Sequence, residues 1–138
     1  MFIEGAISNK IIEATIASFK SGTGAEQVFI GRVRPDRTEN AEVSCIEFTA
    51  QTAMAEQSVE EIIRESIQQH NILNAEVWHS LGKVYSGEVC FLVVVASVHR
   101  KESFEAIQYI VNEIKKRCPI FGEEVLASGD KKWKENTM

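Results

Sequence analysis

The stretch Cys90–Val98, CFLVVVASV, holds nine residues without a charge and stops abruptly at His99-Arg100. A run this apolar and this rich in β-branched residues reads as a buried interior strand. The chain continues as KESFEAIQYIVNEIKKRCPIF, Lys101 to Phe121. Ser103 is placed to cap a helix, and Phe104, Ile107, Val111 and Ile114 recur at steps of three or four, which marks one buried face. Pro119 ends it, because the residue before a proline is steered out of the helical region. A strand ending in His-Arg at the mouth of a helix sets cationic donors beside free backbone N–H groups, a place suited to phosphate or carboxylate.

The same helix sorts its basic residues. At about 100° per residue, with Phe104 at zero, Ile107, Val111 and Ile114 fall near 300°, 340° and 280°. Lys115 then falls near 20°, at the edge of the apolar arc, Lys116 near 120° and Arg117 near 220°. Lys116 is therefore expected in solvent and Lys115 folded along the core face, either as a boundary lysine with a buried stem or as a reactive amine.

Upstream, Phe2–Ala6 reads as a short strand, and Ser8 or Asn9 caps a helix carrying Ile11, Ile12, Ile16 and Phe19 up to the SGTG breaker at 21–24. Glu26–Val33 reads as a strand, with Arg32 and Arg34 on one face. Residues 35–40, PDRTEN, form a polar loop, and Ala41–Thr49 is a further strand. Thr52–Gln69 is a second amphipathic helix in which Met54, Ala55, Val59, Ile62, Ile63 and Ile67 define the buried stripe. Asn74–His79 begins another strand, interrupted over Leu81–Tyr85 before the turn at Ser86-Gly87. After Pro119, Ile120–Leu126 forms a short last strand, and Gly129–Lys134 is a polar turn bearing Trp133. With hairpin-like neighbours late in the chain and three main helices, this is α+β with a mainly antiparallel sheet, in one domain spanning all 138 residues.

The formal net charge of −5 argues against a general nucleic-acid surface and favours a small anionic ligand at a local basic site. No apolar run approaches the ~18 residues of a membrane span, and the N-terminus lacks the pattern of a signal peptide. A cytoplasmic protein is expected, with no nucleic-acid and no membrane partner. Cys45, Cys90 and Cys118 are far apart and read as free thiols, and no spacing suggests a metal site. From the residues alone, Arg34, His99, Arg100 and Lys115 form the candidate anion site, with Arg32 and Lys101 as outliers.

Several motifs in order now carry a resemblance. FIGRVR (29–34), IEFTAQTAMAE (46–56), WHSLGKVYSGE (78–88), VHR (98–100), IKKRCPIF (114–121) and the GD turn before Trp133 together resemble the large, catalytic subunit of molybdopterin synthase over nearly the whole chain. The resemblance implies an α/β-hammerhead-like fold and a homodimer within a 2:2 heterotetramer. It implies transfer of sulfur from the C-terminal Gly-Gly thiocarboxylate of a small ubiquitin-like carrier to cyclic pyranopterin monophosphate, with no cofactor. By motif, Lys115 matches the family's first active-site lysine. Arg32, Val33, Arg34, His99 and Arg100 match substrate contacts, as do the positions Gly122, Glu123 and Glu124. Three positions depart from the family: Gly122 replaces the second active-site lysine, His79-Ser80 replaces His-Arg, and Lys134 is the last cation of the tail. Lys131 or Lys132 is a candidate replacement amine, and a non-catalytic homologue that keeps the fold, the dimer and the binding of pterin or carrier is the alternative function.

Overall fold

The computed structural model describes residues 1–19, 21–37 and 41–134. Its elements run β1 (Phe2–Glu4), α1 (Asn9–Ala17), β2 (Ala25–Arg32), β3 (Val43–Ala50), α2 (Thr52–His70), β4 (Asn74–Tyr85), β5 (Val89–Ser97), α3 (Arg100–Arg117), β6 (Ile120–Leu126) and β7 (Lys131–Trp133). The strands form one sheet in the order β2-β5-β4-β3-β6-β7, with β1 added parallel to β4 and every other pairing antiparallel. The α+β class with three helices holds.

All nine residues of β5 are buried, and the reason is that both faces of the sheet are covered there. Phe91, Val93 and Val95 enter a core shared with α2 and α3, whereas Leu92 and Val94 pack under Ile11, Ile12, Ile16 and Phe19 on the α1 side. Leu92, Val93, Val94 and Val95 have no exposed surface, and each such side chain contributes roughly 1.5–3 kcal/mol of burial. Ser8 caps α1 by accepting from the Ile11 N–H at 3.3 Å.

Several details differ from the sequence reading. Helix α3 begins at Arg100 with His99 as its N-cap, and Ser103 instead lies inside the first turn, donating to the Arg100 carbonyl at 2.8 Å. Its buried face is Ser103, Ala106, Ile110 and Ile114, and Phe104 is 52% exposed. Small residues on that face let the helix sit close to β5, which a reading by bulk cannot anticipate. Met54, expected in the core, is 60% exposed, because α2 turns Ala55, Val59, Ile62 and Ser66 inward. Strand β4 is continuous through Leu81–Tyr85. It bends at Gly82, whose φ of 73° suits a residue without Cβ, and changes partner there from β5 to β3. The turn expected at 129–134 contains β7, paired with β6.

Helices α2 and α3 are tied by charge. Arg117 donates to both Glu65 oxygens at 2.8 and 2.9 Å, and Tyr109 donates to Glu65 at 2.8 Å. These bonds, the Arg117 pair first, hold the Glu65 carboxyl down at about 2. Among the described residues, no helix is long and apolar enough to cross a membrane.

Candidate functional site

The polarity of the strands decides which predicted residues meet. Strand β2 pairs antiparallel with β5, so Ala25 lies opposite Ser97 and Arg32 opposite Val89. Arg32 and Arg34 therefore stand at the start of β5, whereas His99 and Arg100 stand past its end. Helix α3 then runs back along the sheet and returns Lys115 to the arginines. At ~1.5 Å per residue, Arg100 and Lys115 are about 22 Å apart along the helix. Within one chain, His99 and Arg100 do not join Arg34 and Lys115, which corrects the expectation that these four form one anion site.

At the Lys115 end lies a cavity of about 400 Å³. Its charged wall carries Arg32, Arg34, Lys115, Lys116 and Lys134 against two carboxylates, Asp36 and Glu124. In a chain of net charge −5, this is a local positive basin. Its apolar wall is aromatic. Phe91 meets Phe29 edge-on at 5.5 Å, and His79 lies between Phe48 at 4.9 Å and Phe91 at 5.3 Å.

Lys115 comes from the last turn of α3, where cations also complement the helix C-terminus. Its Nζ lies 5.6 Å from the centroid of Phe91, within cation–π range. Burial lowers its pKa from the usual lysine value, and the neighbouring charges of Lys134 and Arg34 push the same way against the opposing influence of Cys90. Lys116 is exposed and reaches Glu113 at 3.8 Å. The contrast between adjacent lysines expected from the helical wheel is thus present, although both border the cavity.

The other predicted residues divide. Arg32 donates to the Gly87 carbonyl at 2.7 Å, and Arg34 pairs with Asp36 at 3.1 Å. Val33 is buried in the core, and its N–H and carbonyl are taken by Glu88 and Gly87. Gly122 and Glu124 line the cavity, whereas Glu123 faces the other side of the sheet and pairs with Lys131 at 3.6 Å. Lys131 and Lys132, the candidate replacement amines, do not line the cavity.

Three residues of the site escaped the sequence reading. His79 lies opposite Phe91 in the β4–β5 register, a relation visible only once the strands are paired. Desolvation, chiefly, holds its pKa down at about 4, so it is neutral at pH 7; its Nδ1 sits 2.8 Å from the Ser80 carbonyl, a contact that makes Nδ1–H the donor and leaves Nε2 an acceptor. Cys90 also borders the cavity, and burial raises its pKa. The third is Lys134, just after β7. Cys118 shares the wall, and burial holds its thiol up at about 11, which argues against a resident thiolate. Among the described residues, no cluster of ligands fit to hold a metal is present.

The pattern of the MoaE protein family matches residues 5–117. A molybdopterin synthase catalytic subunit from Pyrococcus abyssi is 38% identical over 120 residues, covering 87% of this chain and 80% of that one. The crystal structure of molybdopterin synthase from Staphylococcus aureus superposes with a TM-score of 0.85 at 26% identity, covering 98% of this chain and 96% of that one. A complex of subunits 1 and 2 of molybdopterin-converting factor from Helicobacter pylori shares the fold, with a TM-score of 0.78 at 22% identity over 98% and 89% of the two chains. The chain belongs to the MoaE family, whose curated members include the molybdopterin synthase catalytic subunits.

Proposed function

We propose that this chain is the catalytic subunit of a molybdopterin synthase, moving sulfur from a thiocarboxylated small carrier protein to cyclic pyranopterin monophosphate. The observation that carries the reading is a half-buried lysine, Lys115, set over an aromatic wall in a basic cavity of about 400 Å³. The cavity suits a planar, anionic substrate: rings pack against Phe29, Phe91 and His79, and oxyanions are drawn to Arg34 and Lys115. When the thiocarboxylate is consumed, negative charge develops on an oxygen. A desolvated ammonium stabilises that oxygen far better than water does. A lysine with a lowered pKa also holds a larger neutral fraction at neutral pH, so the same amine is suited to covalent attack.

The small carrier partner is supported by the two-subunit complex of the Helicobacter pylori relative. A dimer of this chain within a 2:2 assembly is the accompanying proposal, as is a cytoplasmic location. The alternative, a homologue that binds without turnover, draws on Gly122, which puts no amine where the family carries its second lysine. Incubating the protein with thiocarboxylated carrier and the pyranopterin, and measuring dithiolene formation, tests the reading. Binding of both without product favours the alternative.

A further inference from the structure

The register of β6 and β7 leads to Lys134, which the sequence marks only as the last cation of the tail. Glu124 lies opposite Lys132 and Glu123 opposite Trp133, and the Lys134 N–H donates to the Gly122 carbonyl at 2.8 Å. Lys134 is thus the cross-strand neighbour of Gly122. Residues directly opposite in an antiparallel pair project to the same face, and Gly122 faces the cavity beside Phe48 and Ile46. A glycine there leaves the way open for the side chain across from it. Lys134 lines the cavity together with Lys115 and Cys90, and its charge acts on both. Lys131, by contrast, is drawn to Glu123 at 3.6 Å and Glu47 at 4.0 Å on the other face.

We infer that Lys134 is the second oxyanion-holding amine of this cavity, supplied from the edge strand across the gap that Gly122 leaves. With Lys115 it brackets an anionic group, a phosphate monoester or a terminal carboxylate, from two elements of the fold. The inference rests on the cavity being the reaction site, but it is testable without turnover. Calorimetry on the full chain measures two probes, inorganic phosphate and a diglycine peptide with a free C-terminus, each in wild type, Lys134→Met, Lys134→Arg and Lys132→Met. Lys134→Met should weaken at least one probe about tenfold, the scale of a hydrogen bond to a charged group. Lys134→Arg should stay within about threefold of wild type and Lys132→Met unchanged. Which probe responds identifies the anion as phosphate or carboxylate. If Lys134→Met and Lys132→Met behave alike with both probes, or wild type binds neither, the inference is overturned. If the pattern holds while wild type fails to transfer sulfur, the proposed function falls and the inference stands.

Discussion

Replacing Gly122 with lysine installs the residue that the resemblance implies for this position, and the structure argues that it harms this protein. A Cβ at position 122 would lie 3.0 Å from Cγ2 of Ile46 and 3.2 Å from Cε1 of Phe48. Those neighbours are 4% and 8% exposed, so neither swings freely into solvent. Overpacking of this kind costs about 1–3 kcal/mol, against about 0.4–1 kcal/mol regained from the reduced entropy of the unfolded chain. The net loss is at most about 2.6 kcal/mol and about 1.3 kcal/mol at mid-range, the latter roughly 4–6 °C in Tm for a domain of this size. The new ammonium would also stand opposite Lys134, and like charges across a strand pair repel. Gly122→Ala isolates the steric part; Gly122→Lys adds the charge. Thermal melts should place both below wild type, with the lysine variant lower, and its sulfur transfer should not exceed wild type. A Gly122→Lys protein that melts at or above wild type and transfers sulfur faster refutes this account, and would mean that the glycine is a simple loss.

The adjacent lysines should separate in the transfer assay. Lys115→Ala should lose about a hundredfold or more in rate, the scale of one oxyanion donor, with Lys116→Ala near wild type; equal losses would remove Lys115 from its role. His79 gives a pH signature. With a folded pKa near 4 against the ordinary 6.5, it binds fewer protons folded than unfolded, so stability is lost as pH falls across that window. The loss should reach about 3 kcal/mol in wild type and shrink in His79→Gln, as denaturant melts at several pH values would reveal. Glu65 acts the same way lower down: its folded pKa near 2 lies under the ordinary 4.5, so its stabilisation is present above pH 4.5 and lost toward pH 2. Glu65→Gln should therefore lower Tm at pH 7, and the gap from wild type should close near pH 2.

The sequence disclosed elements better than it disclosed their mutual placement. Strand β5 and the stop at Pro119 were legible because both rest on local rules, continuous apolar character and the backbone restriction before proline. The phase of α3 was not legible, since Ser103 and Ala106 occupy the face that packs closely and displace bulky Phe104 outward. Lys115 is half-buried and Lys116 exposed, as the sequence placed them. The observed face of Ser103, Ala106, Ile110 and Ile114, however, lies about equally far from both on the helical wheel. It is the Phe91 ring beneath Lys115 that covers the one and not the other. The link from Arg34 to Arg100 failed because it depends on the direction in which β2 pairs with β5. His79 and Lys134 were missed on the same ground, as cross-strand register alone carries them to the cavity.

That failed link sharpens the question of what His99 and Arg100 do. If they contact the substrate, as the resemblance implies, the separation of about 22 Å along α3 means that a second copy must supply them. A two-fold dimer then builds two equal sites, each with Lys115 of one chain and Arg100 of the other, because an isologous interface is reciprocal. Co-purified mixtures test this directly. Lys115→Ala and Arg100→Ala chains should each be inactive alone, since every site lacks one group. In a randomly mixed dimer, one site collects both defects and the other collects none. Half of the dimers are mixed and half of their sites intact, so about a quarter of wild-type activity should return on unfolding and refolding the two chains together. If both residues act within one chain, or Arg100 serves only stability, mixing restores nothing beyond the separate activities. Light scattering gives the prior condition: a chain that remains monomeric at micromolar concentration, with and without its carrier, leaves Lys115 and Arg100 in separate places and removes His99 and Arg100 from the site.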